Sequence, residues 1–263
     1  MKIGIKGIYK FIIQGDKMKK NSWIKYECTR ENPKYRIFCL PYAGGNALYY
    51  SKWAEYFNKE IEIYPIQLPG RENRIGECAI SDAKVLCKEI ITAIKPYLDI
   101  PFAFVGHSMG GILCYELTRQ LIKDNIAVPE AIFISGTVPP HILKQSEKIY
   151  DMPEKEFLKR LVGYDNINPK MFEFKEFYEY FLPTLRADFK LVETYEIEKK
   201  ESLPCSITVF GGDNDPFVPL KYLKEWNDYS EKNLKIEVFK GNHFYITNHI
   251  KNICTIIRET LEN

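Results

Sequence analysis

With 263 residues, 45% of them hydrophobic and 27% charged, the chain has the composition of a globular protein that can bury a large core. Its formal net charge is only +2, which argues against the strongly basic surface of a protein that binds nucleic acid or an anionic membrane. The seven cysteines are scattered, with no CxxC pair and no Cys/His cluster at metal-ligand spacing. This cysteine usage is typical of the reducing cytoplasm and predicts no metal site.

The first 25 residues contain short apolar pieces that charged side chains interrupt. No piece is long enough for a signal-peptide core or a membrane span. Two interpretations are open: Met18 is the true start and 1–17 is an upstream extension, or the segment is an N-terminal arm packed on the body. We therefore separate 1–25 from a single predicted domain at 26–263.

Short β-rich runs alternate with helical patterns along most of the chain, which predicts an α/β fold with a mostly parallel central sheet and helices on both faces. The predicted strands are Tyr35–Leu40, Glu62–Gln67, Phe102–Val105, Ala131–Ser135, Ser206–Phe210 and Lys235–Phe239. The predicted helices are 46–58, 82–97, 109–123, 219–229 and 248–261.

The alternation of strands and helices breaks at about 138–198, a stretch without a convincing strand that opens on a double proline. Aromatic residues within it recur at helical spacing, with glutamates on the opposite side, which predicts an amphipathic helix. Its aromatic side comprises Phe174, Phe177, Tyr178 and Phe181. We expect this helical insertion to lie over the carboxyl ends of the strands as a lid.

The segment Gly106-His107-Ser108-Met109-Gly110-Gly111 follows a predicted strand and precedes a helical pattern. Strand, Gly-x-Ser-x-Gly and helix together predict a nucleophile elbow, a sharp turn that exposes a serine hydroxyl. The glycines are needed because a side chain at 106 or 110 would collide across the turn. Ser108 is therefore the predicted nucleophile.

A serine hydroxyl needs an adjacent base, and the chain has four histidines. His243 follows the last predicted strand and precedes the last helix, so it should lie on the same rim of the sheet as the elbow. His107 is interpreted as a structural hydrogen-bonding residue beneath the elbow. His141 falls at the start of the lid and His249 on the last helix. We therefore expect His243 to be the general base.

A third group must hold the imidazole in the correct tautomer. Two carboxylates follow the fifth predicted strand, Asp213 after a Gly-Gly pair and Asp215 one step later, before a proline. We favour Asp215 and keep Asp213 as the alternative, since it is well placed to close an Asx turn on its own backbone. The chain order serine, aspartate, histidine is that of the α/β-hydrolase fold.

Hydrolysis through a tetrahedral intermediate needs two hydrogen-bond donors for the oxyanion. The first is Met109 N–H, which the elbow places at the start of a helix. The second should come from the Tyr42-Ala43-Gly44-Gly45 segment after the first strand, because a Gly-Gly pair lets backbone approach a ligand closely. Ala43 N–H is the predicted donor, with the position open within 42–44.

From about Tyr35 onwards the chain resembles the type II thioesterases, the stand-alone editing enzymes of nonribosomal peptide and polyketide synthesis. The segments that carry the resemblance are FCLPYAGGNALYYSKW (38–53), YPIQLPGRENRI (64–75), GHSMGG (106–111), LPTLRADFKLVETY (182–195), GGDNDPFVP (211–219) and GNHF (241–244). The resemblance implies a Ser108–Asp215–His243 triad and oxyanion donors at Ala43 and Met109. It also implies an acyl thioester substrate on the phosphopantetheine arm of a carrier protein.

Three other functions remain open for the sequence: a small-molecule carboxylesterase or lipase, a product-releasing thioesterase, and a non-catalytic binding protein of the same fold. The triad needs no metal or organic cofactor. We expect a cytoplasmic monomer whose partner is a phosphopantetheinylated acyl or peptidyl carrier protein.

Overall fold

The structure, a computed structural model, describes residues 21–143, 147–163, 169–197, 199–232 and 234–262. Six strands form one sheet, and every strand pair in it is parallel. They are β1 (Tyr35–Leu40), β2 (Ile61–Pro65), β3 (Phe102–His107), β4 (Ala131–Ser135), β5 (Ser206–Gly212) and β6 (Lys235–Phe239). Their order across the sheet is β2-β1-β3-β4-β5-β6. The α/β prediction is confirmed.

Seven α-helices accompany the sheet in the described part of the chain. They are α1 (Leu48–Ser51), α2 (Ala83–Ile94), α3 (Met109–Lys123), α4 (Pro140–Leu143), α5 (Glu154–Leu161), α6 (Leu182–Glu193) and α7 (Ile250–Glu262). Two predicted helices differ from the observed form. The 46–58 helix is the short α1 continued by the 3₁₀ turns Lys52–Tyr56, and the 219–229 helix is the 3₁₀ helix Leu220–Tyr229. None of these helices is long and apolar enough to cross a bilayer.

Both faces of the sheet are covered, which explains why its central strands are almost wholly apolar. One face packs against α2 and α3, with Leu86 and Ile112 among the buried side chains. The other face packs against the α1 region and α7, through Trp53 and Ile257. Carboxyl ends of the parallel strands therefore remain the open rim where loops can build a site.

Residues 1–20, including Met18 and most of the predicted extension, lie outside the described residues. The chain that follows runs antiparallel to β2 and its continuation. Ile24 pairs with Ile66 and is 6% exposed, and Lys25 N–H donates to Pro65 O over 3.1 Å. The described part of the 1–25 segment thus packs on the body, while the boundary at 25/26 stays a prediction.

The predicted lid is largely helical in its described residues and has its own buried cluster, which includes Phe157, Leu161 and Phe189. The expected aromatic helix face is only partly correct. Phe177 is buried, whereas Phe174 is 60% exposed and Tyr178 is 37% exposed. Residues Phe177–Phe181 form a π-helix that runs into α6. Its i→i+5 hydrogen bonds remove the i, i+3, i+4 alignment that the prediction assumed.

Strand order reverses between β1 and β3, because β2 lies on one side of β1 and the later strands lie on the other. The loops after β1 and β3 consequently diverge from neighbouring positions and open a crevice at the carboxyl ends. The predicted oxyanion segment follows β1 and the predicted nucleophile follows β3. The topology therefore brings these two parts of the site together.

Backbone of β3, α3 and β1 meets at two glycines. A Cβ atom on Gly106 would lie 2.1 Å from Gly110 O, and one on Gly110 would lie 2.2 Å from Leu40 O. Neither acceptor can move away, since Leu40 belongs to a central strand and Gly110 to the first turn of α3. The elbow therefore requires glycine at both positions, as the sequence predicts.

We expect Gly106→Ala to lower the free energy of unfolding by about 3 kcal/mol or more, because the new methyl group must displace backbone. Gly76→Ala is the matched control, since a Cβ atom there meets nothing within 4 Å. Urea unfolding followed by circular dichroism measures both variants. Equal stability of the two would contradict the close approach at the elbow.

Candidate active site

Ser108 lies at the turn between β3 and α3 with φ +53° and ψ −115°, a combination that non-glycine residues rarely adopt. The surrounding contacts hold it there: Ser108 N–H donates to Ser135 O over 2.7 Å, and Gly111 N–H donates to Ser108 O over 2.9 Å. Such strained backbone is typical of functional sites. The geometry is that of the predicted elbow.

Ser108 and His243 line the same cavity, whose volume is about 1010 Å³. The cavity lies at the carboxyl rim of the sheet and is partly walled by the lid. Its apolar walls include Leu143, Met152 and Phe189. Elements far apart in the sequence thus place the predicted nucleophile and the predicted base around one space large enough for an acyl chain.

His243 Nδ1 lies 2.8 Å from Asp215 Oδ2, and both residues are buried. The other oxygen, Asp215 Oδ1, accepts from Phe217 N–H over 2.9 Å and from Val218 N–H over 3.1 Å. These two backbone contacts orient the carboxylate independently of its contact with the imidazole. With Nδ1–H donating to Asp215, the neutral ring carries its lone pair on Nε2, the nitrogen that a general base uses.

Asp213 has a different partner. Its Oδ1 accepts from Gly241 N–H over 2.8 Å, and its side chain is exposed. It therefore ties the β5 loop to the loop that carries His243 rather than contacting the imidazole. The geometry favours Asp215 over Asp213 as the orienting carboxylate.

The rings of the other three histidines form polar contacts with groups other than Asp215. His107 Nδ1 lies 2.9 Å from Ser135 Oγ, which in turn lies 2.7 Å from Tyr245 OH, all within the core. The His107 ring packs 5.0 Å from the His243 ring, between centroids, so it supports the site from below. His141 contacts Tyr229 OH. His249 precedes α7 rather than lying on it, and its ring contacts the Lys240 carbonyl.

The loop after β1 forms a tight turn over Tyr42–Gly45. Gly45 N–H donates to Tyr42 O over 2.8 Å, and Gly44 has φ +74°, the values expected of a type II turn. Ala43 occupies the first central position of this turn and lines the cavity. Gly44 N–H is committed to Asp188 Oδ2 at 2.7 Å, which leaves Ala43 as the better candidate donor among residues 42–44.

Met109 is the first residue of α3 and is fully buried. The first amides of a helix have no intrahelical acceptor, so Met109 N–H suits a developing negative charge. Ala43 and Met109 follow the two strands that flank the reversal in strand order. Ala43 and Met109 therefore stay the predicted donors of a two-donor oxyanion site.

Three polar residues around the site were missed by sequence reasoning. Arg71 and Asp188 form a buried ion pair of 2.8 Å beside the Gly44 turn. Glu193 lines the cavity and accepts from Ile149 N–H and Tyr150 N–H of the lid over 2.8 Å and 2.9 Å. Burial raises the pKa of the Glu193 carboxyl. The signal for them in the sequence was their position in QLPGRE and LRADFKLVETY, within two of the segments that carry the family resemblance.

No group of three or more His, Cys, Asp or Glu side chains that could hold a metal ion occurs among the residues described.

We expect Asp215→Asn to lower kcat about 10⁴-fold, because the amide would stabilise the wrong imidazole tautomer. Asp213→Asn keeps an oxygen for Gly241 N–H and should cost less than about 10-fold. Steady-state kinetics on one acyl thioester measures both. Comparable losses in the two variants would contradict the assignment.

Burial lowers the pKa of the His107 imidazole well below its ordinary value, so the folded protein keeps this ring neutral. The unfolded chain takes up a proton on this residue below about pH 6.5, so the free energy of unfolding should fall as the pH drops further. His107→Asn cannot titrate and should weaken this pH dependence. Thermal unfolding between about pH 7.5 and about pH 5 tests it, and equal pH slopes in the two proteins would refute it.

Comparison with known proteins places this site in a family. The family model for the thioesterase domain matches residues 35–261. Gramicidin S biosynthesis protein GrsT of Aneurinibacillus migulanus is 34% identical over 226 residues, which cover 86% of this chain and 88% of the relative. Thioesterase PikA5 of Streptomyces venezuelae is 28% identical, covering 91% of this chain and 85% of the relative.

Among solved structures, the type II thioesterase BorB from the borrelidin biosynthetic cluster superimposes with a TM-score of 0.80 at 26% identity, covering 92% of this chain and 97% of BorB. The α/β-hydrolase fold with a helical lid is thereby confirmed. Sequence family, fold and site agree, and the chain belongs to the thioesterase family.

Proposed function

We propose that this chain hydrolyses acyl groups held as thioesters on the phosphopantetheine arm of a carrier protein and thereby removes aberrant acyl groups from nonribosomal peptide or polyketide synthesis. The observation that carries the proposal is the buried 2.8 Å contact between His243 Nδ1 and Asp215 Oδ2 on the cavity that Ser108 lines. The carrier-bound substrate is supported by the relatives, which are named for gramicidin S biosynthesis and as a type II thioesterase.

The first half of the reaction forms an acyl-serine. Ser108 Oγ attacks the thioester carbonyl while its proton passes to His243 Nε2. Asp215 stabilises the resulting imidazolium, and Ala43 N–H and Met109 N–H donate to the oxyanion. When the carbon–sulfur bond breaks, the imidazolium returns the proton to the pantetheine sulfur, which leaves as a thiol.

The second half releases the acid. Water attacks the acyl carbonyl and gives a proton to His243 Nε2, which then delivers it to Ser108 Oγ as the carbon–oxygen bond breaks. Each proton is taken and returned by the same imidazole. Apart from the substrate and water, these steps use only side chains and backbone amides of the chain.

The cavity favours an acyl group over a long polar peptide. Besides the apolar walls near the lid, Val192 and Val218 face the same space. Charged side chains of both signs also line it: Glu156, Lys159 and Arg160 belong to α5, Glu193 belongs to α6, and Glu147 precedes α5. Apolar walls near the serine accommodate the acyl chain, since their burial is favourable in proportion to area.

We also propose a phosphopantetheinylated acyl or peptidyl carrier protein as the partner, the cytoplasm as the location and a monomeric state. The partner follows from the substrate. The location rests on the cysteine usage of the sequence.

The decisive experiment compares an acetylated carrier protein, acetyl-pantetheine and an aryl acetate as substrates of the full chain. We expect the highest kcat/KM on the carrier protein, because only that substrate offers both the thioester and a docking surface. Preference for the aryl ester, with little turnover of carrier-bound thioester, would indicate a carboxylesterase instead.

Ser108→Ala is the control for the nucleophile. We expect it to lower kcat by about 10⁵-fold or more on every substrate, because no acyl-enzyme can form. Mass spectrometry of the wild-type protein after rapid quenching should find the acyl group on the peptide that contains Ser108. Full activity of Ser108→Ala would overturn the assignment.

A further inference from the structure

A buried ion pair lies next to the turn that carries Ala43. Arg71 Nη2 lies 2.8 Å from Asp188 Oδ1, and Arg71 Nη1 lies 2.9 Å from Asp188 Oδ2. The two side chains are 8% and 2% exposed, so this is a bidentate pair removed from water. Burying two charges is costly, and such pairs often add no net stability over apolar residues of similar volume. Stability alone therefore does not explain why this pair is buried here.

Both members of the pair also hold the backbone of the Tyr42–Gly45 turn. Asp188 Oδ2 accepts from Gly44 N–H over 2.7 Å, while Arg71 Nη1 donates to Gly45 O over 3.0 Å. Gly44 N–H belongs to the central peptide of the turn, the unit whose rotation interconverts type I and type II turns. A carboxylate facing this unit favours the orientation that presents N–H and disfavours the one that presents C=O. The ion pair thus selects the observed turn.

Ala43 lies between this turn and the end of a rigid strand. On its amino-terminal side, Leu40 is paired with Gly106 in the sheet, and Leu40 O accepts from Tyr50 OH over 2.9 Å. On its carboxyl-terminal side, the contacts to Gly44 and Gly45 come from the ion pair. Fixing both sides of a short loop fixes the direction of the amide between them.

The ion pair is itself held by two elements of the fold. Asp188 is on α6, whose Thr184 Oγ1 donates to Gly70 O over 2.8 Å. Arg71 O accepts from Gln67 Nε2 over 3.1 Å, and Gln67 Oε1 accepts from Ala47 N–H over 3.0 Å. The loop after β2, helix α6 and the loop after β1 are therefore joined by one buried polar network.

We propose that Arg71 and Asp188 are positioning residues that hold the Ala43 amide toward the acyl carbonyl, so that the ion pair orients the second donor of the oxyanion site. The inference rests on the proposed role of Ala43 and assigns to the pair a function in catalysis rather than in folding. Neither residue touches the reacting atoms. Their loss should raise the barrier of the chemical step and leave ground-state binding of the substrate largely unchanged.

The test replaces both charges at once with the double variant Arg71→Met/Asp188→Leu. Apolar side chains avoid an unpaired buried charge but leave Gly44 N–H and Gly45 O without these partners, so the variant should fold with a Tm a few degrees below that of the wild type. We expect kcat on acetyl-N-acetylcysteamine to fall by about 100-fold with KM nearly unchanged, since one oxyanion donor is misplaced. Asp188→Asn keeps an acceptor for Gly44 N–H and should recover part of the lost kcat.

The matched control is a second buried ion pair at the amino ends of β1 and β2, the edge of the sheet opposite the site. Arg36 Nη2 lies 2.7 Å from Glu62 Oε2, and these side chains are 8% and 4% exposed. Arg36→Met/Glu62→Leu should keep kcat within about 3-fold of the wild type. If this variant loses as much kcat as the first double variant, a general loss of rigidity in the fold explains both results, and the proposal is overturned.

A second readout isolates the oxyanion. An alkyl boronic acid forms a tetrahedral adduct with the serine, whereas a thioether analogue of the substrate binds without one. In Arg71→Met/Asp188→Leu, the boronic acid should bind more weakly by about the factor lost from kcat/KM, and the thioether should bind as in the wild type. Equal effects on the two ligands would refute a positioning role.

The small thioester separates this proposal from the proposed function. If carrier-bound thioester is not hydrolysed, the variants can still be compared on acetyl-N-acetylcysteamine. If Ser108→Ala loses activity while the Arg71/Asp188 variant keeps it, the serine mechanism stands and the positioning role is wrong.

Discussion

Peptide backbone from three elements is in contact under Ser108. A Cβ atom on Gly110 would lie 2.2 Å from the end of β1, and one on Gly106 would lie 2.1 Å from the first turn of α3. Since neither a strand nor a helix start can shift without breaking its hydrogen bonds, the distance between the β1 and β3 loops is set by the backbone alone. The serine, the helix start and the loop with Ala43 take their relative positions from this contact.

The His243 side of the site is built differently. It depends on two loops that follow β5 and β6, and polar contacts rather than backbone packing fix their geometry. Asp213 joins the two loops by accepting from Gly241 N–H. Asp215 accepts two hydrogen bonds from backbone amides in addition to its contact with the imidazole. A carboxylate held by three donors has little freedom, so the imidazole is held in one orientation before any substrate arrives.

The sheet was predictable from the sequence, and the candidate residues Ala43, Ser108 and His243 line one cavity. Buried parallel strands are apolar runs, and the loops after them hold the glycines, histidine and carboxylates that a hydrolase needs. The predicted end of β2 at Gln67 is two residues too far, because beyond Pro65 the chain pairs with the segment before β1: Ile66 bridges to Ile24, and Gln67 N–H donates to Trp23 O over 2.7 Å. On the sequence alone, Asp215 is favoured and Asp213 stays the alternative, since both follow the same strand, and the contact between Asp215 and His243 supports that preference.

Other features could not be predicted because they depend on contacts between distant segments. Arg71 and Asp188 are 117 positions apart and leave no periodic signal. The π-helix at Phe177–Phe181 is likewise a local departure from the α-helical period that the aromatic spacing suggested. Packing within the lid, not the propensity of its residues, decides which aromatic side chains are buried.

Helix α6 serves both the substrate cavity and the turn after β1, which limits how its sequence can change among related proteins. The same helix places Leu185 and Phe189 in the cavity wall and holds Asp188 against the turn after β1. Insertions or exchanges in the described lid segments before it can reshape the substrate cavity while the register of α6 is kept. A shift of α6 by one residue would instead rotate its carboxylate away from Gly44 by about 100°. We therefore expect related proteins to change their substrate range mainly through the lid segments that precede this helix. The contact between Asp188 and Gly44 N–H constrains the register of α6 itself.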